Sequence, residues 1–138
     1  MEKGDKVYVD ANVFIFAAIS EEELGQKAIR VLDKIKERKI NSYTSVLTFD
    51  EVFWKVKKMR NKEFALLITE AMLSLPNLTF LDTTYETVSA AHSLLERHDE
   101  LGPRDAIHAA TALAHGIRSV MSTDPDFDNL HGIKRISL

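Results

Sequence analysis

Short runs of strand formers alternate with helix-length stretches along the chain, and this alternation admits few folds. Residues 6–9, Lys-Val-Tyr-Val, read as a strand that closes at Asp10, with further strands over 40–43, 78–81, 119–122 and 134–136. Between them lie helical patterns. Ser20 suits an N-cap with Glu23 at the third helical position, and Leu24, Ala28, Val31, Leu32 and Ile35 then recur at helical spacing. Ser45 suits the cap of a helix running to about residue 59. Phe64, Leu67, Ile68, Ala71, Met72 and Leu75 mark another helix, ended by Pro76-Asn77. A helix over 85–97 buries Val88, Ala91 and Leu95. Pro103 opens the last helix, whose Ala106, Ala109, Ala110 and Leu113 permit close packing before Gly116 ends it. Strands alternating with helices predict an α/β sandwich around a mostly parallel sheet of about five strands. Ligands of such sheets gather at the carboxyl ends of the strands.

With 138 residues, 45% of them apolar, the chain is expected to form one domain spanning 1–138. It contains no cysteine, which excludes thiolate metal sites, disulfides and cysteine nucleophiles. The apolar stretch 13–19 is too short to span a bilayer, so a cytoplasmic protein with no membrane partner is expected. Lys and Arg number 18 against 21 acids, a net charge of −3. Any polyanionic partner must therefore be met by a local basic patch.

Asp10 closes the first strand, Asp105 lies in the first turn of the last helix, and Asp124 follows the fourth strand. Each alone is an ordinary cap or turn residue. Gathered in one cleft, they repel one another and call for a cation. An all-oxygen set, without cysteine or a histidine pair at zinc spacing, points to Mg²⁺, with Mn²⁺ as a substitute. Such an ion acidifies water for attack on phosphorus and neutralises charge on the phosphate, the chemistry of phosphodiester hydrolysis.

Four segments together carry a family resemblance. Residues 7–13, Val-Tyr-Val-Asp-Ala-Asn-Val, and 45–51, Ser-Val-Leu-Thr-Phe-Asp-Glu, are followed by 104–110, Arg-Asp-Ala-Ile-His-Ala-Ala, and 122–127, Ser-Thr-Asp-Pro-Asp-Phe. In order and spacing they resemble the four acidic motifs of the PIN-domain nucleases, and the chain's size is most like the VapC toxins. The resemblance implies a three-layer PIN-like α/β/α sandwich whose Asp10, Glu51, Asp105 and Asp124 form a catalytic, metal-binding quartet. It also implies RNA cleavage leaving a 5′-phosphate, a homodimer, and inhibition by a small VapB-like antitoxin. Spacing alone leaves Asp50 nearly as eligible as Glu51; the family's hydroxyl residue three positions before the acid selects Glu51.

Around the quartet, Asn12 either orients Asp10 or a metal-bound water, or serves as a turn residue. Thr48 either bonds into the cleft or back to its own helix, while Thr123 and Asp126 flank Asp124 as supports for substrate or a second ion. Asp128 reads as surface. His108 reads as a hydrogen-bonded core histidine rather than a base. Periodicity puts Val46, Phe49, Phe53 and Val56 on the core face of the second helix, with Thr48, Glu51 and Lys55 on another. Lys55, Lys57, Lys58, Arg60 and Lys62 form the densest basic segment, either an RNA-binding rim or a solvated helix end. Trp54 reads as packing rather than base stacking, and Arg104 as a partner of Asp105 or of phosphate. Three alternatives stand beside the toxin: an RNA-processing PIN nuclease without antitoxin, a catalytically idle RNA-binding module, and a monoesterase with Asp10 as nucleophile.

Overall fold

The computed structural model describes residues 4–138. Its elements are β1 (Lys6–Val9), α1 (Ala11–Ile19), α2 (Glu23–Lys36), β2 (Asn41–Ser45), α3 (Val46–Met59), α4 (Lys62–Leu73), β3 (Leu78–Leu81), α5 (Tyr85–Arg97), α6 (Pro103–Ala114), β4 (Ser119–Met121), a 3₁₀ turn (Pro125–Asn129) and β5 (Lys134–Ile136). The five strands form one sheet in the order β3-β2-β1-β4-β5, and every pairing is parallel. The expected α/β/α sandwich is therefore observed. Among the described residues, no helix is long and apolar enough to cross a membrane.

β1 is central and buried on both faces, so its alternation feeds two cores. Val7 and Val9 pack with residues of α1 to α4, whereas Tyr8 packs with α5, α6 and the segment from Ile117 to Ile133. From β1 the chain builds one side of the sheet through β2 and β3, then returns to the other side of β1 with β4 and β5. The strand order thus reverses between β1 and β4, where parallel sheets open a crevice at their carboxyl ends. Asp10 lies at that edge, its N–H donating to the Met121 carbonyl at 3.0 Å.

Several local expectations are corrected. Residues 11–19 form a helix that periodicity did not reveal, because its uniformly apolar sequence, Ala-Asn-Val-Phe-Ile-Phe-Ala-Ala-Ile, carries no polar stripe. Ser20 ends that helix instead of capping the next: its N–H donates to the Phe16 carbonyl, and Glu22 occupies the N-cap of α2. Gly25 allows the tight approach between the two helices, since a Cβ there would lie 2.2 Å from the Ser20 carbonyl oxygen. On α3 the buried stripe is Thr48, Val52 and Val56, while Val46 and Phe49 are exposed. The helix is rotated from its expected face because Thr48 finds a buried hydroxyl partner, leaving Phe49 to stack on Phe53 at the surface. On α4, Ala65, Thr69 and Met72 are buried while Leu67 and Ala71 are exposed; on α5, Thr87, Ala91 and Leu94 are buried while Val88 is exposed.

Candidate active site

Backbone geometry fixes Asp10 first. It caps α1, with Oδ1 accepting the Ala11 N–H at 2.7 Å, while Oδ2 accepts from the Ser122 hydroxyl at 2.7 Å. Ser122, at the end of β4, also accepts the Asp124 N–H at 3.0 Å and an Asn12 amide hydrogen at 3.2 Å. Asn12 donates to the Thr123 hydroxyl as well, at 2.9 Å. One serine thereby ties the acid after β1 to the acid after β4. Asn12 reaches Asp10 through Ser122, and its own Oδ1 is buried without a hydrogen-bond partner.

Glu51 enters from α3. The start of that helix is anchored by Thr44, whose hydroxyl donates to the Val9 carbonyl at 2.8 Å and lies 2.6 Å from the Thr48 hydroxyl. Because Thr44 spends its hydrogen on Val9, Thr48 is the donor to Thr44, and its hydroxyl also meets that of Tyr8. Glu51 lies on the turn that follows, and its Oε1 meets Nε2 of His108 from α6. The same nitrogen is 3.7 Å from Asp10 Oδ1, and the other ring nitrogen meets the Tyr8 hydroxyl. His108 is a fully buried, hydrogen-bonded core residue as expected, but its partner is a member of the acidic set.

Asp105, Asp124 and Asp126 form the more open half, with one carboxylate oxygen from each within 4.8 Å of the others. Asp10, Glu51 and His108 meet the same separation in the buried half. Asp124 caps the 3₁₀ turn by accepting the Asp126 N–H at 2.9 Å, and Arg135 clamps the turn from below with two bonds to Asp128 and one to the Ser122 carbonyl. Asp128 is thus an exposed structural residue, its carboxyl held below the usual range by that guanidinium.

The electrostatics follow from this packing. Burial pushes Asp10 upward, opposed by His108, the Ser122 hydroxyl and the Ala11 N–H. Asp105 is pushed up to about 8, first by burial, then by its hydrogen bond to the Asp124 carboxyl and by the Asp10 and Asp124 charges. Asp126 is raised chiefly by the charge of Asp124. For His108, burial is the largest influence and pulls downward, but the Glu51 hydrogen bond and the Asp10, Glu51 and Asp105 charges together raise it. The cleft carries more negative charge than its own donors neutralise.

The residues fit a hard divalent cation. All acidic donors are oxygens, one is driven far from its ordinary pKa by burial and then by its acidic neighbours, and a buried Asn12 acceptor has no protein partner. Both nitrogens of His108 are engaged by protein groups, which favours a supporting role over ligation.

The basic residues lie apart. Lys57, Lys58 and Arg60 are exposed, Lys55 is half-buried, and Lys62 opens α4. Lys55 is one helical turn from Glu51, whereas Lys58 is about 10 Å farther along the axis than Glu51. Lys58 lies over the Trp54 ring at 4.8 Å, and Arg60 donates to the Ile19 carbonyl at 3.2 Å, closing the end of α1. Among the described residues, Arg104 is exposed and forms no ion pair with Asp105. Sequence reasoning quoted Ser122 only as part of a motif and gave Tyr8 no role. A fully buried tyrosine needs a partner for its hydroxyl, which was the available signal.

The PIN domain family model matches residues 7–133. The chain belongs to the PIN-domain family. Within that family it is 42% identical over 50 residues to Ribonuclease VapC13 of Mycobacterium tuberculosis, a stretch covering 36% of this chain and 38% of the relative. The chain thus spans about 38% of the length of the curated relative it matches. Its fold is similar to that of VapC20 of Mycobacterium tuberculosis, a sarcin-ricin loop cleaving toxin, with a TM-score of 0.76 and 20% identity over 88% of this chain and 92% of that one. A toxin-antitoxin complex from Klebsiella pneumoniae gives a TM-score of 0.66 and 19% identity over 93% of this chain and 95% of that one. This PIN fold places the acidic cleft at the switch point between β1 and β4.

Proposed function

We propose that the chain, acting as one catalytic module, is a Mg²⁺-dependent endoribonuclease of the VapC type. The observation that carries this reading is a pair of adjoining acidic groups, Asp10 with Glu51 and Asp105 with Asp124 and Asp126, linked where the Asp10 charge helps push Asp105 up to about 8. In this reading Asp10, Glu51, Asp105 and Asp124 hold the ion, with Mn²⁺ as a substitute. A bound Mg²⁺ supplies a Lewis acid for the phosphate oxygens and lowers the pKa of an attacking water. Ser122 holds the Asp10 carboxylate, and Asn12 orients Asp10 through its own bond to Ser122. Thr123 fixes Asn12, and Asp126 borders the open side where substrate enters.

RNA as the substrate is supported by the family, by the relative named a ribonuclease and by the toxin that cleaves the sarcin-ricin loop. Lys55, Lys57, Lys58 and Lys62 would then meet the phosphate backbone along α3 and the start of α4, with Arg60 and Arg104 as further cations. The similar toxin-antitoxin complex supports regulation by a small VapB-like antitoxin. Phe49, Trp54, Leu66 and Leu67 expose apolar surface on α3 and α4, as a homodimer would use. Confinement to the cytoplasm belongs to the same reading.

The test is cleavage of an end-labelled structured RNA pool with Mg²⁺, Mn²⁺ or EDTA, beside Asp10→Ala and Asp105→Ala. Metal-dependent cuts lost in both variants are expected. Cutting by the variants equal to wild type, or no cutting with no calorimetric metal binding, would overturn the proposal.

A further inference from the structure

His108 is the largest polar group inside the α5–α6 core that the proposed chemistry does not use. It is fully buried, both of its nitrogens are engaged, and its partners come from two other elements, Tyr8 from β1 and Glu51 from α3. An ionised carboxylate only accepts, so the hydrogen between His108 and Glu51 belongs to Nε2. When the ring is neutral, Nδ1 accepts from the Tyr8 hydroxyl; when it is protonated, Nδ1–H donates to the Tyr8 oxygen, and in both states Nε2–H faces Glu51. Tyr8 cannot turn away to water, because it too is fully buried.

We propose that Tyr8 and His108 form a rigid buried strut that positions Glu51, holding one carboxylate oxygen and presenting the other to the ion in the cleft. This rests on the assignment of Glu51 to the metal-binding set. His108 is a positioning residue and not a ligand: its Nε2 carries a hydrogen toward Glu51, and its Nδ1 is taken up by the Tyr8 hydroxyl. The strut also accounts for the placement of Glu51, which, like Asp105 on α6, is carried by a helix and not by the end of β1 or β4. Glu51 sits in the second turn of its helix, with 17% of its side chain exposed, and rotamer freedom there would loosen its hold on a cation.

The test uses the full chain and begins without metal. Long-range ¹H–¹⁵N spectra should show His108 with its hydrogen fixed at Nε2 and a slowly exchanging, downfield Nε2–H resonance that moves in Glu51→Gln. Calorimetric titration with MnCl₂ should then show about 10–100-fold weaker binding in His108→Leu. His108→Gln, which keeps an N–H donor near Nε2, should recover most of that affinity. Tyr8→Phe should lose a few-fold, and it carries the test if His108→Leu does not fold. In a Glu51→Ala background, His108→Leu should cost no further affinity, an outcome that a merely structural histidine would not give. Absence of the protected Nε2–H signal in wild type overturns the strut. So does wild-type affinity for Mn²⁺ in a folded His108→Leu or in Tyr8→Phe. A wild type that shows the signal but binds no Mn²⁺ overturns the metal assignment itself, and with it the role of His108 toward the ion.

Discussion

Asp10 and Asp105 are neighbouring carboxylates in one cleft, yet the protein treats them differently. Burial raises both. Against it, Asp10 receives a backbone N–H, a serine hydroxyl and the charge of His108. Asp105 receives only the charge of His108, while Asp124 and Asp10 push it further up, to about 8. The inner half of the site is therefore held in shape by hydrogen bonds the fold supplies. The outer half is left with a charge deficit that a proton or a solvent-borne cation must meet. A cleft built this way keeps its geometry without metal and still has a strong reason to bind one.

The largest expected effect is on catalysis. Asp10→Asn keeps one oxygen, enough for either the Ala11 N–H or the Ser122 hydroxyl, and removes the charge; it should lower cleavage of labelled RNA by about 10²–10³-fold, the scale of losing one electrostatic contact to a transition state. Its fold should survive, because a desolvated charge is removed; a collapse of its circular dichroism spectrum would show that the inner half depends on that charge for structure.

Next comes the pH dependence of the metal-free protein. Asp105 has a folded pKa of about 8, above the ordinary unfolded value, so between the two the folded state binds more protons than the unfolded. Stability must then fall as pH rises through that window. The raised Asp10 and His108 act in the same direction, His108 contributing stability below its unfolded pKa that is lost as pH passes its folded one. The melting temperature should drop steadily from weakly acidic solution to pH near 8, and Mg²⁺ should restore it most at the upper end. Asp105→Asn should remove more of the slope than Asp10→Asn; the reverse order would move the charge deficit to the inner half.

Ser122→Ala is smaller. It strands bonds to Asp10, Asn12 and the Asp124 N–H, and should cost about 1–3 kcal/mol in urea unfolding, with weaker Mn²⁺ binding. Asp50→Asn is the smallest: an exposed acid one residue from Glu51, it should change stability by less than about 0.5 kcal/mol and leave cleavage intact. A large loss there would mean that the family pattern had selected the wrong one of two acids that spacing leaves nearly equal.

The sheet and most helices were legible because strand formers and helical stripes announce themselves locally. So were Asp10 and Asp124, which mark strand ends. α1 was hidden by having apolar residues on nearly all sides, and the face of α3 was misread in part: Phe53 packs against the core as expected, but Val46 and Phe49, which look like core, are exposed. Periodicity counts them as apolar, but it cannot see that Thr48 has a buried hydroxyl waiting four residues back. The cross-links of the site were out of reach for a different reason. Tyr8 and His108 are 100 residues apart, His108 and Glu51 are 57 apart, and Ser122 and Asp10 are 112 apart. Local patterning says that each of these residues is buried or polar, but which pairs meet is decided by the order of strands in the sheet.

The most direct measurement is anomalous diffraction from crystals of the chain soaked in MnCl₂ near pH 8, well above the ordinary carboxylate range. The account expects a manganese peak in the cleft bounded by Asp10, Glu51, Asp105 and Asp124, with His108 still bonded to Glu51 and Tyr8. Four carboxylates in the same arrangement with no manganese among them would contradict it.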